Sequence, residues 1–110
     1  MNDRDGITVV SLGGELEIGR KEEIRKALAE ARDAESVLVD LSAVTYADSI
    51  ALTELLRFCA GAQQDERRVA LVIVTPQFAR LVQYAGLSSA FTIFDNVPEA
   101  RKYLETRAPQ

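Results

Sequence analysis

Histidine and tryptophan are missing from this chain of 110 residues, and cysteine occurs once, as Cys59. Each absence removes a class of chemistry. Without imidazole there is no Ser-His or Cys-His relay, the usual zinc sites lose a principal ligand, and Cys59 has no base to activate it. A single thiol cannot build an internal disulfide and suits a reducing cytoplasm. No GxxxxGK[ST] or GxGxxG run is present, and Gly13-Gly14 is only a turn signal. Basic residues are outnumbered, 13 against 17 acidic ones, for a formal charge of −4. They are interleaved with Asp and Glu, and the adjacent pair Arg67-Arg68 reads as a turn, so the clustered cationic face that nucleic acid requires is missing. No apolar run is long enough to enter a membrane, and the opening "MNDRDG" has no signal-peptide pattern. An enzyme built on Asp, Glu, Ser and Lys alone stays open, but nothing in the sequence points to one, nor to a metal or cofactor.

What is present describes an ordinary folded domain. Apolar residues make up 47% and charged residues 27% of the chain, which is typical of a globular protein. At this length roughly 60–65% of the unfolded surface can be buried. The expected organisation is one domain over 1–110 with a core of about 6–106 and frayed ends.

Periodicity then sets the elements. "ITVVSLGGELEI" is β-branched and broken by Gly13-Gly14, which predicts an opening hairpin and an antiparallel edge. From 19 to 34 the pattern turns helical, with Ile24, Ala27, Leu28 and Ala31 on one face and Glu22, Lys26, Glu30 and Asp33 on the other. "SVLVDLS" at 36–42 and "RVALVIVT" at 68–75 are continuous apolar runs, the mark of strands covered on both faces. A helix over 49–64 lies between them. Phe78, Leu81, Val82 and Ala85 form a third helical stripe that ends at Gly86, suited to a left-handed cap. "AFTIF" at 90–94 reads as a last strand, and Asn96 with Glu99 as a capping box for a final helix. The predicted fold class is α/β, with a mixed four- to five-stranded sheet, an opening hairpin and about four α-helices.

The helix after Asp48 carries the functional question. At about 100° per residue, with Leu52 at zero, the apolar stripe runs through Leu55, Leu56, Cys59 and Ala62. Ile50, Glu54 and Arg57 fall on the opposite side, and Ser49 lies on the flank of the core. Asp48 is the expected N-cap, its carboxylate set against the first-turn N–H groups and the positive end of the helix dipole. Read locally, Asp48 and Ser49 do no more than start a helix, and one exposed Ile50 needs no explanation.

Three segments in order resemble the STAS domain family, best known for bacterial anti-sigma factor antagonists. "VVSLGGELEI" resembles that family's opening hairpin, here with Gly14-Glu15-Leu16-Glu17. "VLVDLSAVTYADSIAL" resembles its central strand, loop and Asp-Ser-Ser-Gly-Leu signature. "RLVQYAGLSSAFTIF" resembles the later Gly-Leu segment. The resemblance implies a module that binds an anti-sigma factor, commonly a small serine kinase, and so releases a sigma factor. In the family, phosphorylation at the third signature position breaks the complex, since phosphate brings about −1.5 to −2 charges to the interface. Here Asp48 and Ser49 match the first two positions, but the third is Ile50 and Ala51 replaces the Gly. Ser49 is the remaining phosphorylation candidate, and on the core flank it would need local opening to reach a kinase; Thr53 and Ser42 are weaker ones. The partner surface implied is Thr45, Tyr46, Ala47, Asp48, Ser49, Ile50, Glu54 and Arg57.

The same resemblance leaves two other roles open: an accessory subunit bound to the ATPase of an ABC-type lipid transporter, and a scaffold antagonist in a stress-sensing complex. A homodimer is also open. A phospho-acceptor reading of Asp40 fails, because "VVSLGG" carries no acidic pair and "VALVIVTP" no Lys.

Overall fold

The structure is a computed structural model and describes residues 6–106. The expected fraying of "MNDRD" and of the last four residues lies outside the described residues. Element order is β1 (Ile7–Leu16), a 3-10 turn (Ile18–Arg20), α1 (Lys21–Ala29), β2 (Ser36–Ala47), α2 (Ser49–Gln64), β3 (Arg68–Val72), α3 (Pro76–Tyr84), β4 (Ile93–Phe94) and α4 (Val97–Glu105). The sheet order is β1-β2-β3-β4, and each neighbouring pair is parallel. The α/β class and the four helices match expectation.

The opening hairpin does not form. The segment around Gly13-Gly14 runs on as one strand beside β2, with register shifts between Ser11 and Gly13 and between Gly14 and Glu15. Glycine serves a bulge here, not a turn. Gly14 has φ +74°, and a Cβ on Gly13 would come within 3.1 Å of the Ala43 Cβ on the neighbouring strand. The displaced carbonyls are still satisfied, since Arg20 Nη1 donates to Gly13 O at 2.6 Å and to Glu15 O at 2.9 Å. Among the described residues the sheet is therefore parallel throughout, not mixed. The first helix is also shorter than its apolar stripe, because turns at 30–33 take over from α1. The last strand shrinks to Ile93–Phe94.

Strands that each step one place along the sheet, joined by right-handed crossovers, put their helices on a single face. The packing agrees. Ile24 and Leu28 of α1, Ala51, Leu52 and Leu55 of α2, and Phe78 and Val82 of α3 share a core with Val10, Val37, Val39, Leu41 and Leu71. On the other face Ala100 and Leu104 of α4 cover Ile7, Leu38, Ala70 and Val72. Alternation along β2 explains the split, Val37 and Val39 facing one way and Leu38 the other.

Local caps fix where the outer helices stop and start. Gly86 has φ +72°, its N–H donates to Gln83 O and that of Leu87 to Val82 O, the paired bonds of a Schellman end. Asn96 accepts from the Glu99 N–H at 2.9 Å and opens α4. Phe78 is fully buried and Tyr84, on the same helix, is 83% exposed. Phe78→Ala should cost about 3–5 kcal/mol in a urea melt, whereas Tyr84→Ala should stay within about 0.5 kcal/mol of the parent.

Candidate functional site

The C-terminal ends of β1 and β2 meet the start of α2 at Asp48. Its Oδ1 accepts from the N–H groups of Ile50 (2.9 Å) and Ala51 (3.2 Å), the N-cap that the sequence predicts. Its Oδ2 accepts from the Ile18 N–H at 3.1 Å, and its own N–H donates to Leu16 O at 3.0 Å. The carboxylate therefore also ties down the end of β1, which helical spacing alone does not reveal. Gln77 of α3 holds the preceding residue through both amide atoms, Oε1 accepting from Ala47 N and Nε2 donating to Ala47 O. Thr75 donates its hydroxyl to Val44 O. Backbone at this rim is thus fixed from three elements.

The predicted surface is only partly brought together. Thr45, Tyr46, Ser49 and Arg57 are exposed, and Asp48 and Ile50 are half-buried. Ala47 is fully buried, its methyl packed in the main core. Glu54 is buried as well, at 5% exposure, and its Oε1 accepts from Arg25 Nε of α1 at 2.9 Å. These two residues are not available to a partner. Ser49 is the opposite case: expected on the core flank, it stands in solvent.

One physical reason covers both errors on α2. The buried stripe centres between Ala51 and Leu55, about 80° round from Leu52, because α1 lies alongside α2 and roofs the Glu54 side. That rotation turns Ser49 and Thr53 outward and tilts Ile50 towards the protein. Thr53 is held locally, its hydroxyl donating to Ser49 O at 2.8 Å. Ser42 is engaged too, donating its N–H and hydroxyl to Asp40 Oδ1. Ser49 keeps an exposed side chain at the first position of the helix.

Composition gave no reason to single out Ile18. It is 66% exposed, next to the Asp48 carboxylate that its N–H reaches, and Tyr46, 43% exposed, stands two residues before that Asp. Tyr46 pairs in register with Glu15. The backbones of Ile18 and Ile50 are thus joined through the Asp48 carboxylate at the start of α2, with Tyr46 two residues before it. The only signal in the sequence was a β-branched residue just past the end of a strand.

Nucleophilic chemistry finds no support at Cys59. Burial pushes its thiol up to about 12, so thiolate is scarce at neutral pH. The native protein at pH 8 should react with a thiol reagent far more slowly than the urea-unfolded chain, a difference that mass spectrometry reads directly. Because the folded thiol holds its proton to higher pH than the unfolded one, stability should fall as pH rises from the ordinary thiol range towards 12. Asp48→Ala should cost about 1–2 kcal/mol and speed hydrogen exchange at Ile18 as well as at Ile50 and Ala51. Ser49→Ala should leave all three amides protected.

Comparison with known proteins places the fold. No curated protein matches the chain. Solved structures do match in fold. A Thermotoga maritima protein described as a candidate anti-sigma factor antagonist superposes with a TM-score of 0.85 at 18% identity, over 96% of this chain and 92% of that one. An anti-sigma factor antagonist from Mycobacterium paratuberculosis gives 0.82 at 24% identity, over 96% and 91%. A sulfate transporter family protein from Wolinella succinogenes gives 0.79 at 15% identity, over 96% and 88%. The STAS domain model matches residues 1–100, and the chain belongs to that family.

Proposed function

We propose that this chain is a regulatory protein-binding module that sequesters an anti-sigma factor in the cytoplasm, acting by association and not by catalysis. The observation that supports this reading is the pinned start of α2, where Ile18 and Ile50 are bonded to Asp48 and Tyr46 stands two residues before it, three residues read together as an apolar ring for a partner. Its backbone is held by Asp48, Gln77 and Thr75, so little ordering remains to be done on binding. Exposed aromatic and aliphatic groups on a rigid rim are what an interface hot spot requires. The anti-sigma factors that such proteins bind include small serine kinases, and this partner is read as one of them.

Ser49 is then the modifiable hydroxyl. The third signature position, Ile50, cannot take a phosphate, while Ser49 is exposed one residue earlier and beside the same ring. A phosphate there would meet the positive end of α2 but also the Asp48 carboxylate, and would set about −1.5 to −2 charges against an apolar contact. Binding would weaken, as it does when the family's own site is modified.

Affinity capture of the tagged chain from its native cells, with mass-spectrometric identification, tests the partner class. A kinase-like anti-sigma factor is expected; recovery of a transporter ATPase in its place would overturn the sigma pathway. With the partner in hand, Ile50→Asp and Tyr46→Ser should each weaken binding by about tenfold or more, and Ser49→Asp should weaken it while Ser49→Ala does not. Glu54→Gln, buried away from the ring, should leave the affinity within about twofold.

A further inference from the structure

Beyond Asp40 the strand β2 loses one of its two neighbours. Its pairing with β3 ends at Asp40 and Val72, whereas its pairing with β1 continues to Leu16 and Ala47. The chain leaves β3 for α3 by way of Thr75 and Pro76, so among the described residues no strand flanks 41–47 on that side. The backbone there still needs partners, because a buried polar group left unpaired is costly. Ala47 is fully buried.

Side chains from the head of α3 take the place of the missing strand. In a β-strand the N–H and C=O of one residue point to one side, and those of the next to the other. The Asp48 N–H turns to Leu16 O on β1, and Ala47 turns both of its groups to α3. There Gln77 Oε1 accepts from Ala47 N at 3.0 Å, and Nε2 donates to Ala47 O at 2.8 Å. A primary amide carries the acceptor and the donor of a peptide group, so Gln77 repeats the exchange that a neighbouring strand would make. Further back along β2 the Thr75 hydroxyl donates to Val44 O. Gln77 is itself well placed, since the next residue, Phe78, is fully buried in the core.

Few side chains could do this. Glutamate in its ionised form would set an oxygen against Ala47 O with no proton between them, and methionine would fill the space with neither group.

We propose that Gln77 is a positioning residue for partner binding, setting through Ala47 the point at which β2 delivers Asp48 and Ile50 to the rim. This rests on the reading of that rim as the partner surface, and adds that the rim takes its position from α3 where the sheet has run out. Gln77 spends its amide on Ala47, so its effect on a partner passes through the backbone. A rim released from α3 would sample other positions, and apparent affinity falls with the fraction of molecules that hold the competent one. Such a loss appears in the association rate, whereas loss of a direct contact appears mainly in dissociation.

The first measurement needs no partner. Amide hydrogen exchange is followed by NMR on the 15N-labelled full chain, for the parent, Gln77→Met and Gln77→Glu. Exchange at Ala47 should quicken about tenfold in Gln77→Met, with the buried Leu38 and Leu71 of the central strands unchanged. Gln77→Glu at neutral pH should quicken it too, since the donor to Ala47 O is gone, and it carries the test if Gln77→Met does not fold. Tyr84→Ala, on the same helix, should leave Ala47 as in the parent. No change at Ala47 in either Gln77 variant, or equal quickening at Leu38 and Leu71, overturns the proposal. With the partner recovered by affinity capture, Gln77→Met should slow association several-fold and leave dissociation within about twofold. Unchanged kinetics, or a loss confined to dissociation, overturns the positioning role alone if Ile50→Asp and Tyr46→Ser still weaken binding. If those two variants bind like the parent, the surface reading fails and takes this inference with it.

Discussion

The carboxylate of Asp48 accepts from three backbone N–H groups that belong to two distant segments, Ile18 past β1 and Ile50 with Ala51 at the head of α2. Most caps serve only their own helix. This one also closes the gap between adjacent strand ends, with Asp48 N–H returning a bond to Leu16 O. The proposed apolar ring depends on that closure. Ile18 comes to the head of α2 because its own backbone is held there, and Gln77 completes the frame by clamping Ala47. The fold and the proposed surface share one group, so the Asp of the signature serves both.

Arginine provides the second kind of tie. In a chain with more acidic than basic residues, Arg20, Arg67 and Arg68 spend their donors on backbone carbonyls where regular structure gives out. Arg20 supports the bulged end of β1, Arg67 the turn between α1 and β2, and Arg68 the end of α4. Each places a long, planar donor set where carbonyls lack helical or sheet partners. Arg25 differs, crossing from α1 to a buried carboxylate on α2, and Glu54 is tolerated in that position because the pair is hydrogen-bonded.

Signals that act over three or four residues were legible in the sequence. Asp48, Gly86 with Leu87, and Asn96 all cap as their local chemistry dictates, and the runs at 36–42 and 68–75 supply the central strands, the second of which stops at Val72. Ambiguity entered where one residue type serves two geometries. A glycine pair suits a hairpin turn and a strand bulge alike, and only the neighbouring strand, with Ala43 against Gly13, decides between them. The burial of Glu54 was out of reach for a related reason, since its partner lies 29 residues away and its side of α2 looked like water until α1 covered it. Reading Arg67-Arg68 as a turn missed their role because carbonyls needing a donor leave no mark in a sequence. Ser49 and Ile50 changed places for want of one angle, the rotation of α2 in its layer.

The order β1-β2-β3-β4 follows the chain itself, and that bears on how the molecule assembles. Every strand pairs with the one made just before it, so each parallel pairing closes a loop of only roughly 20 to 30 residues and no strand must insert between two others. The entropic cost of closure stays small and nearly equal at each step, which favours growth from the N-terminal unit outward over a late, long-range search. During synthesis β1 waits for β2 alone, and the knot of bonds at Asp48 forms as soon as α2 begins. The Asp48 side of the proposed rim is therefore able to take its final shape early, and the clamp on Ala47 follows only once Gln77 of α3 has been made.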